Sequence, residues 1–210
     1  MQSKRFAIFL FFVIAWCSSA SAVEAQTFYG TTDLKVFRDG RDQEMRDPKE
    51  TPLPETEAAK FAGLKYFATD KRFRVKAKLK KEPSEQKVQF QTSSGKIRTF
   101  LKYGVVSFKL LGKRYALNVY QVEPAAIKEE YKDLAFVPFK DLTSGKESYG
   151  AGRYIDIKIS QGGKVILDFN LAYNPNCAYG SDKYNCPIPP AENRLNVEIK
   201  AGEKKYLPGH

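Results

Sequence analysis

From Phe73 to Lys80 apolar and basic residues alternate without a break, with Phe73, Val75, Ala77 and Leu79 on one side and Arg74, Lys76, Lys78 and Lys80 on the other. A period of two is the period of side chains along an extended chain, so the stretch is predicted to be a half-buried β-strand with a lysine-rich outer face. Such a strand constrains the rest of the chain, because its apolar face must be covered and its backbone must pair laterally. Strand-like runs come next at Lys87 to Thr92, Ile97 to Tyr103, Val105 to Leu111 and Arg114 to Val122, with Ser93-Ser94-Gly95-Lys96 and Leu111-Gly112-Lys113 as turns. Further runs lie at Ala135 to Phe139, Tyr154 to Ser160, Val165 to Phe169 and Leu195 to Lys200. The expected fold is mainly β, a single antiparallel barrel or sandwich with an N-terminal helical segment packed on it.

Three segments organise the chain: a signal peptide over 1–22, a helical and proline-rich segment over 23–60, and a β-rich domain over 61–210. Lys4 and Arg5 precede the apolar run Phe6 to Trp16 and the small residues Ala20-Ser21-Ala22, the order of a secretory signal peptide cleaved after Ala22 or, failing that, Ala25. The apolar run is far shorter than the roughly 20 residues a spanning helix needs, so no transmembrane helix is expected after cleavage. Trp16 before Cys17 argues against lipid attachment, which wants a small residue there. Thr31, Thr32 or Asp33 is expected to cap a helix running toward Arg46 and stopped by Pro48, with a short helix over Glu55 to Phe61 and another from Pro124 to about Tyr131. The aromatic side chains of the Phe61 to Phe67 segment, Phe61, Tyr66 and Phe67, are expected to plug one end of the core.

Export implies a periplasmic or extracellular protein. The formal charge of +11 favours acidic partners, an anionic envelope polymer, lipid head groups or nucleic acid, and export makes nucleic acid the least expected of the three. Cys177 and Cys186 remain after cleavage, and an even pair in an exported chain reads as a disulfide. Their spacing is wider than the C-x-x-C of redox pairs. The one histidine, His210, is terminal, so metal binding and histidine-based catalysis have nothing to work with, and no cofactor motif is present.

Side chains able to hold a ligand concentrate between Phe136 and Cys186. Asp141 opens the turn Asp141-Leu142-Thr143-Ser144-Gly145, Arg153 stands among Tyr149, Gly150, Gly152 and Tyr154, and Asp168, Asn170, Tyr173 and Asn174 lie at and beyond the end of a strand. Each has two readings. Asp141 either bonds local amides or accepts from a ligand at a pocket rim. Arg153 either grips a carboxylate or phosphate or pairs with Asp168 or Asp156. Asp168, Asn170, Tyr173 and Asn174 either satisfy loop backbone or form a polar wall. The resulting expectation is non-catalytic binding of a small polar or carbohydrate-like ligand, or of an envelope component, through these eight residues: Asp141, Tyr149, Arg153, Tyr154, Asp168, Asn170, Tyr173 and Asn174. The alternatives are a hydrolase using Asp141 and Asp168 as a carboxylate pair with Arg153 orienting substrate, and a structural envelope protein.

Several of these residues stand in a wider set of motifs: Phe61-x-Gly-Leu-x-Tyr-Phe67, Lys102-Tyr103-Gly104, Pro138-Phe139-x-Asp141-x-Thr143-x-Gly145, Tyr149-Gly150-x-Gly152-Arg153-Tyr154-x-Asp156, Asp168-Phe169-Asn170-x-Ala172-Tyr173-Asn174-Pro175 with Cys177, and Cys186-Pro187 with Pro190 and Asn193. In this set the chain resembles the domain-of-unknown-function 1684 family over nearly all of the expected mature protein. Ala151 departs from the pattern, which has a third glycine there. The resemblance implies an envelope-associated or secreted β-rich protein and brings no activity with it.

Overall fold

The computed structural model describes residues 28–123, 126–159, 163–181 and 183–206. The predicted signal peptide, the start of the predicted helix at Pro124 and His210 lie outside them. Six antiparallel strands form one sheet: β1 (Arg74–Gln91), β2 (Ile97–Leu110), β3 (Lys113–Gln121), β4 (Leu134–Phe139), β5 (Arg153–Lys158) and β6 (Lys164–Asp168), in the order β5-β4-β3-β2-β1-β6. The sheet curls until β5 and β6 approach each other, giving a nearly closed barrel. Helix α1 (Leu34–Arg46) and the short α2 (Glu55–Ala58) precede the strands.

The five runs read between Phe73 and Val122 merge into three long strands. β1 carries both of the first two runs and passes through Pro83, where its register with β2 slips between Lys81 and Gln86. Proline has no N–H to give to a ladder, so the slip falls where the ladder is weakest. β2 bulges between Lys102 and Gly104. A Cβ on Gly104 would lie 2.2 Å from the carbonyl oxygen of Lys80, so the two backbones meet there only because that residue is glycine. The bulge also reverses facing. Val106, Phe108 and Leu110 point into the barrel core with Ala77, Leu79, Leu117, Val119, Val137, Ile155, Val165 and Leu167, whereas Phe100 joins Phe90 and Tyr120 in a separate aromatic cluster on the opposite face.

Helix α1 is capped as expected, the Asp33 carboxylate accepting from the Lys35 and Val36 amides. Gly40 weakens a helix by propensity, and tertiary contact explains it: a Cβ there would lie 2.4 Å from the Phe28 ring. Among the described residues the Pro124 segment is 3₁₀ in character rather than one continuous helix, at Ala126 and again over Glu129–Tyr131. The expected last strand, Leu195 to Lys200, is not one. Its alternation reflects burial of Leu195 and Ile199 in the barrel core, while its amides bond outside any ladder, Leu195 N–H to the Lys140 carbonyl and Ile199 N–H to the Asp141 carboxylate.

Candidate functional site

Arg153, the first residue of β5, is fully buried. Its guanidinium donates to the backbone carbonyls of Ala201 and Ile199, at 2.5 and 2.9 Å, and more weakly to Glu203. It faces Asp141 at 3.4 Å and lies against the Phe67 and Phe139 rings. Its carboxylate partner is thus Asp141, not the Asp168 or Asp156 considered from sequence. Asp141 accepts in turn from Thr143 N–H and Oγ1, Ser144 Oγ and Ile199 N–H. Together they clamp the C-terminal segment onto the turn after β4. The small residue at Gly152 serves the same packing, since a Cβ there would lie 2.7 Å from both the Phe139 carbonyl oxygen and Pro189.

Asp168 and Asn170 form a second network. The Asp168 carboxylate accepts from Asn170 N–H and Nδ2 and pairs with Arg74 at 3.2 Å. Asn170 exchanges two hydrogen bonds with the Asp70 backbone. Asn174 belongs to a third network, around a residue that sequence reasoning passes over. Its amide donates to Glu203, a fully buried carboxylate that also accepts from the Tyr179 hydroxyl and faces Arg41 of α1 at 3.8 Å. Arg41, equally buried, donates to Tyr29, Tyr179 and Glu44 and lies over the Tyr173 ring. Burial pushes the Glu203 carboxyl up, and the Arg41 charge with the Tyr179 and Asn174 hydrogen bonds opposes that shift. Tyr149 packs with Met45, Leu53 and Tyr179 in a small core under α1.

Two of the eight expected residues, Tyr154 and Tyr173, face a cavity of about 370 Å³ on the outer side of the barrel. Its position is set by register. Phe136 stands opposite both Tyr120 and Asp156, and Pro138 opposite Tyr154, while their sequence neighbours Ala135, Val137, Ile155 and Ile157 point into the core. The floor is aromatic, with Phe100 and Phe136 centroids 5.0 Å apart and Phe136 and Tyr154 5.7 Å apart. Tyr29 and Tyr173, 5.3 Å apart, form one wall, and Ile127 and Tyr131 contribute another. Tyr173 is held there by two backbone hydrogen bonds with Tyr154. The Tyr154 hydroxyl donates to the carbonyl of Pro187, the residue after Cys186. Cys177 and Cys186 are at disulfide distance, Cα atoms 6.0 Å apart, and the Cys186 carbonyl accepts from Ser93 at the β1–β2 turn. The cysteine loop is thereby fastened along one rim.

Asp156 is the polar centre of this cavity. Its Oδ2 is buried and has no hydrogen-bond partner among the described residues. Burial raises its pKa to about 6, while a hydrogen bond between the Tyr173 hydroxyl and the carboxyl group, and the Arg41 charge, work against the shift; Oδ2 is the oxygen left over. From sequence Asp156 is only a candidate partner for Arg153. Its place in Tyr154-x-Asp156, next to a predicted ligand tyrosine and on the same strand face, is the signal that could have found it. Tyr29 and Arg41 have no such signal, because only the docking of α1 brings them here. Among the described residues no cluster of His, Cys, Asp and Glu could hold a metal ion, and no helix is long and apolar enough to cross a membrane.

The class these features define is a small, nearly closed antiparallel β barrel with a cysteine-fastened loop and an aromatic cavity on its outer face. The chain belongs to the family described as protein of unknown function (DUF1684), whose pattern matches residues 59–204. It is similar to an uncharacterised protein of Haloarcula marismortui solved in solution by NMR, with 36% identity, covering 81% of this chain and 91% of that one, at a TM-score of 0.65. Comparison with curated proteins gives no match. Helix α1 precedes the family match, yet it contributes the cation that holds Tyr29 and Glu203.

Proposed function

We propose that this chain is an exported, non-catalytic binding protein whose ligand occupies the cavity between Phe136, Tyr154, Tyr173 and Asp156. The observation that carries the reading is the unpartnered Asp156 Oδ2 in a cavity of mainly aromatic and aliphatic walls, to which Arg98, Gln121 and Lys128 add the other polar groups. Cavities of a few hundred Å³ with apolar walls and few converging polar groups are the usual form of small-molecule sites. A buried acceptor without a donor is costly, and a ligand that donates to it removes the cost. The ligand is therefore a small ring-bearing molecule, such as a sugar or a cyclic amine. It lays an apolar face on Phe136 and Tyr154 and donates an O–H or N–H to Asp156. Export is supported by the predicted signal peptide and, weakly, by the paired cysteines. Asp141 and Asp168 lie in separate networks, each already accepting from local donors, so their geometry lends no support to carboxylate-pair hydrolysis.

The test is thermal unfolding against sugars, cyclic amines and organic acids, in the parent and in Asp156→Leu, which removes the acceptor at similar volume. Donor-bearing ring compounds are expected to stabilise the parent and not the variant, with the effect weakening below about pH 6, where Asp156 takes up its proton. Equal stabilisation of both proteins, or of neither by any compound, would overturn the assignment.

A further inference from the structure

A second concave surface lies outside the barrel and shares no lining residue with the aromatic cavity. Outward-facing residues of β6, β1, β2 and β3 fence a trough of about 1020 Å³. Its rim carries Lys76, Lys78, Lys109, Arg114 and Lys164, all exposed, and no acidic residue lines it. None of these five makes an ion pair among the described residues; the pairs that Arg74, Lys87 and Lys102 make with carboxylates all lie outside the trough. The floor is small and mainly apolar, with Ser107 and Ala116 facing each other across β2 and β3 and Ile166 of β6 beside Lys76.

Two features set this face apart from an ordinary solvated one. First, like charges stand directly opposite across neighbouring strands, Lys78 against Lys164 and Lys109 against Arg114. Directly opposed like charges destabilise a sheet. Second, β1 and β2 are interior strands in the order β5-β4-β3-β2-β1-β6, so their lysines are not needed to protect an edge from pairing. A bound anion would relieve the first and give the second a use.

We infer that this trough binds a linear anionic polysaccharide, with carboxylates or sulfates meeting the lysine and arginine rim and sugar rings resting on Ser107 and Ala116. Four strands at about 4.8 Å spacing give a trough about 14 Å across, room for a few sugar units. A bilayer is planar and meets only the tips of the rim, leaving the floor unfilled. Single-stranded nucleic acid needs exposed aromatic rings on which bases stack, and Tyr115, the one aromatic side chain partly open here, is already stacked on Phe108.

The experiment measures binding of polygalacturonate to the full chain at about 50 and about 200 mM NaCl. Single-stranded oligonucleotide and phosphatidylglycerol vesicles serve as competing probes. Three proteins are compared: the parent, Lys78→Gln/Lys109→Gln/Arg114→Gln, and the charge-matched control Lys96→Gln/Lys146→Gln/Lys183→Gln, whose residues are exposed and outside the trough. The parent and the control are expected to bind polygalacturonate and to lose it with salt, and the trough variant to bind roughly tenfold more weakly or worse. The trough variant should also melt at least as high as the parent at low salt, because it relieves opposed charges. Equal losses in both variants would mean that net charge alone is at work and would overturn the site. Tighter binding of the oligonucleotide or the vesicles than of polygalacturonate would overturn the choice of partner. Because Asp156 is untouched, the outcome is independent of the cavity.

Discussion

At the scale of single residues, two ionisable groups of β5, Arg153 fully buried and Asp156 buried at Oδ2, have opposite fates. Arg153 is fully satisfied on the side of its terminal nitrogens and excluded from solvent, so removing it leaves Asp141 as a buried charge and three backbone carbonyls without their donor. Arg153→Ala is expected to lower unfolding free energy by about 3–5 kcal/mol, measured by denaturant titration. Burial of the guanidinium works against its charged form, and the Asp141 carboxylate restores part of the balance. Asp156 is the contrary case, a carboxyl held up at about 6 by burial. Between roughly pH 4 and 6 the native state holds a proton that the unfolded chain has released, so stability is greatest at the acid end of that window and falls as pH rises through it. The group's share of that fall is on the order of 2 kcal/mol. In Asp156→Asn the decline in melting temperature between pH 4 and 6 should flatten, and the variant should be the more stable protein at neutral pH. Subtracting the two pH profiles removes the contribution of Glu203, whose raised carboxyl acts in the same direction. An unchanged slope would mean that Asp156 is not desolvated.

Among the elements, the cysteine loop and the β1–β2 turn depend on each other. Ser93 donates to Cys186, Ile188 donates to Gln91 and Pro187 accepts from Tyr154, so the loop links the end of the long hairpin to β5. Replacing both cysteines by serine releases a short closed loop and is expected to cost roughly 2–3 kcal/mol of stability, read from the denaturation midpoint under oxidising conditions. The same change should weaken ligand binding in the cavity, because Pro187 lies on its rim. Helix α1 behaves differently. Its ends and cap are legible from Asp33 and Pro48, but its role is not. Arg41 is one charged residue among many in a polar stretch, and only docking against Tyr173, Tyr179 and Glu203 makes it a buried strut.

For the whole molecule, the alternation that begins at Phe73 and the turns beyond it are enough to specify an antiparallel β protein, because side-chain facing in a strand is a local property with period two. The helix boundaries at α1, the cysteine pair and the membership of Tyr154 and Tyr173 in a dense polar stretch are likewise readable from neighbours in sequence. The mismatches share one cause. Leu195 to Lys200 alternates like a strand, yet its amides find Asp141 and Lys140 rather than a ladder, and hydrogen-bond partners far along the chain leave no periodic trace. Arg153, Asp141, Asp168 and Asn174 have the chemistry of a binding site, but whether such groups meet a ligand or one another depends on which backbone carbonyls fold down beside them. Facing at Phe100 is set by one bulge at Gly104, which turns an aromatic run out of the core and makes the floor of the cavity. Sequence by itself thus determined the six paired strands, the α1 cap and the cysteine pair, all matters of spacing along the chain. Tertiary structure alone decided which charges are buried and paired, and that Asp156 is left with an oxygen unfilled, because those depend on contacts between residues tens of positions apart.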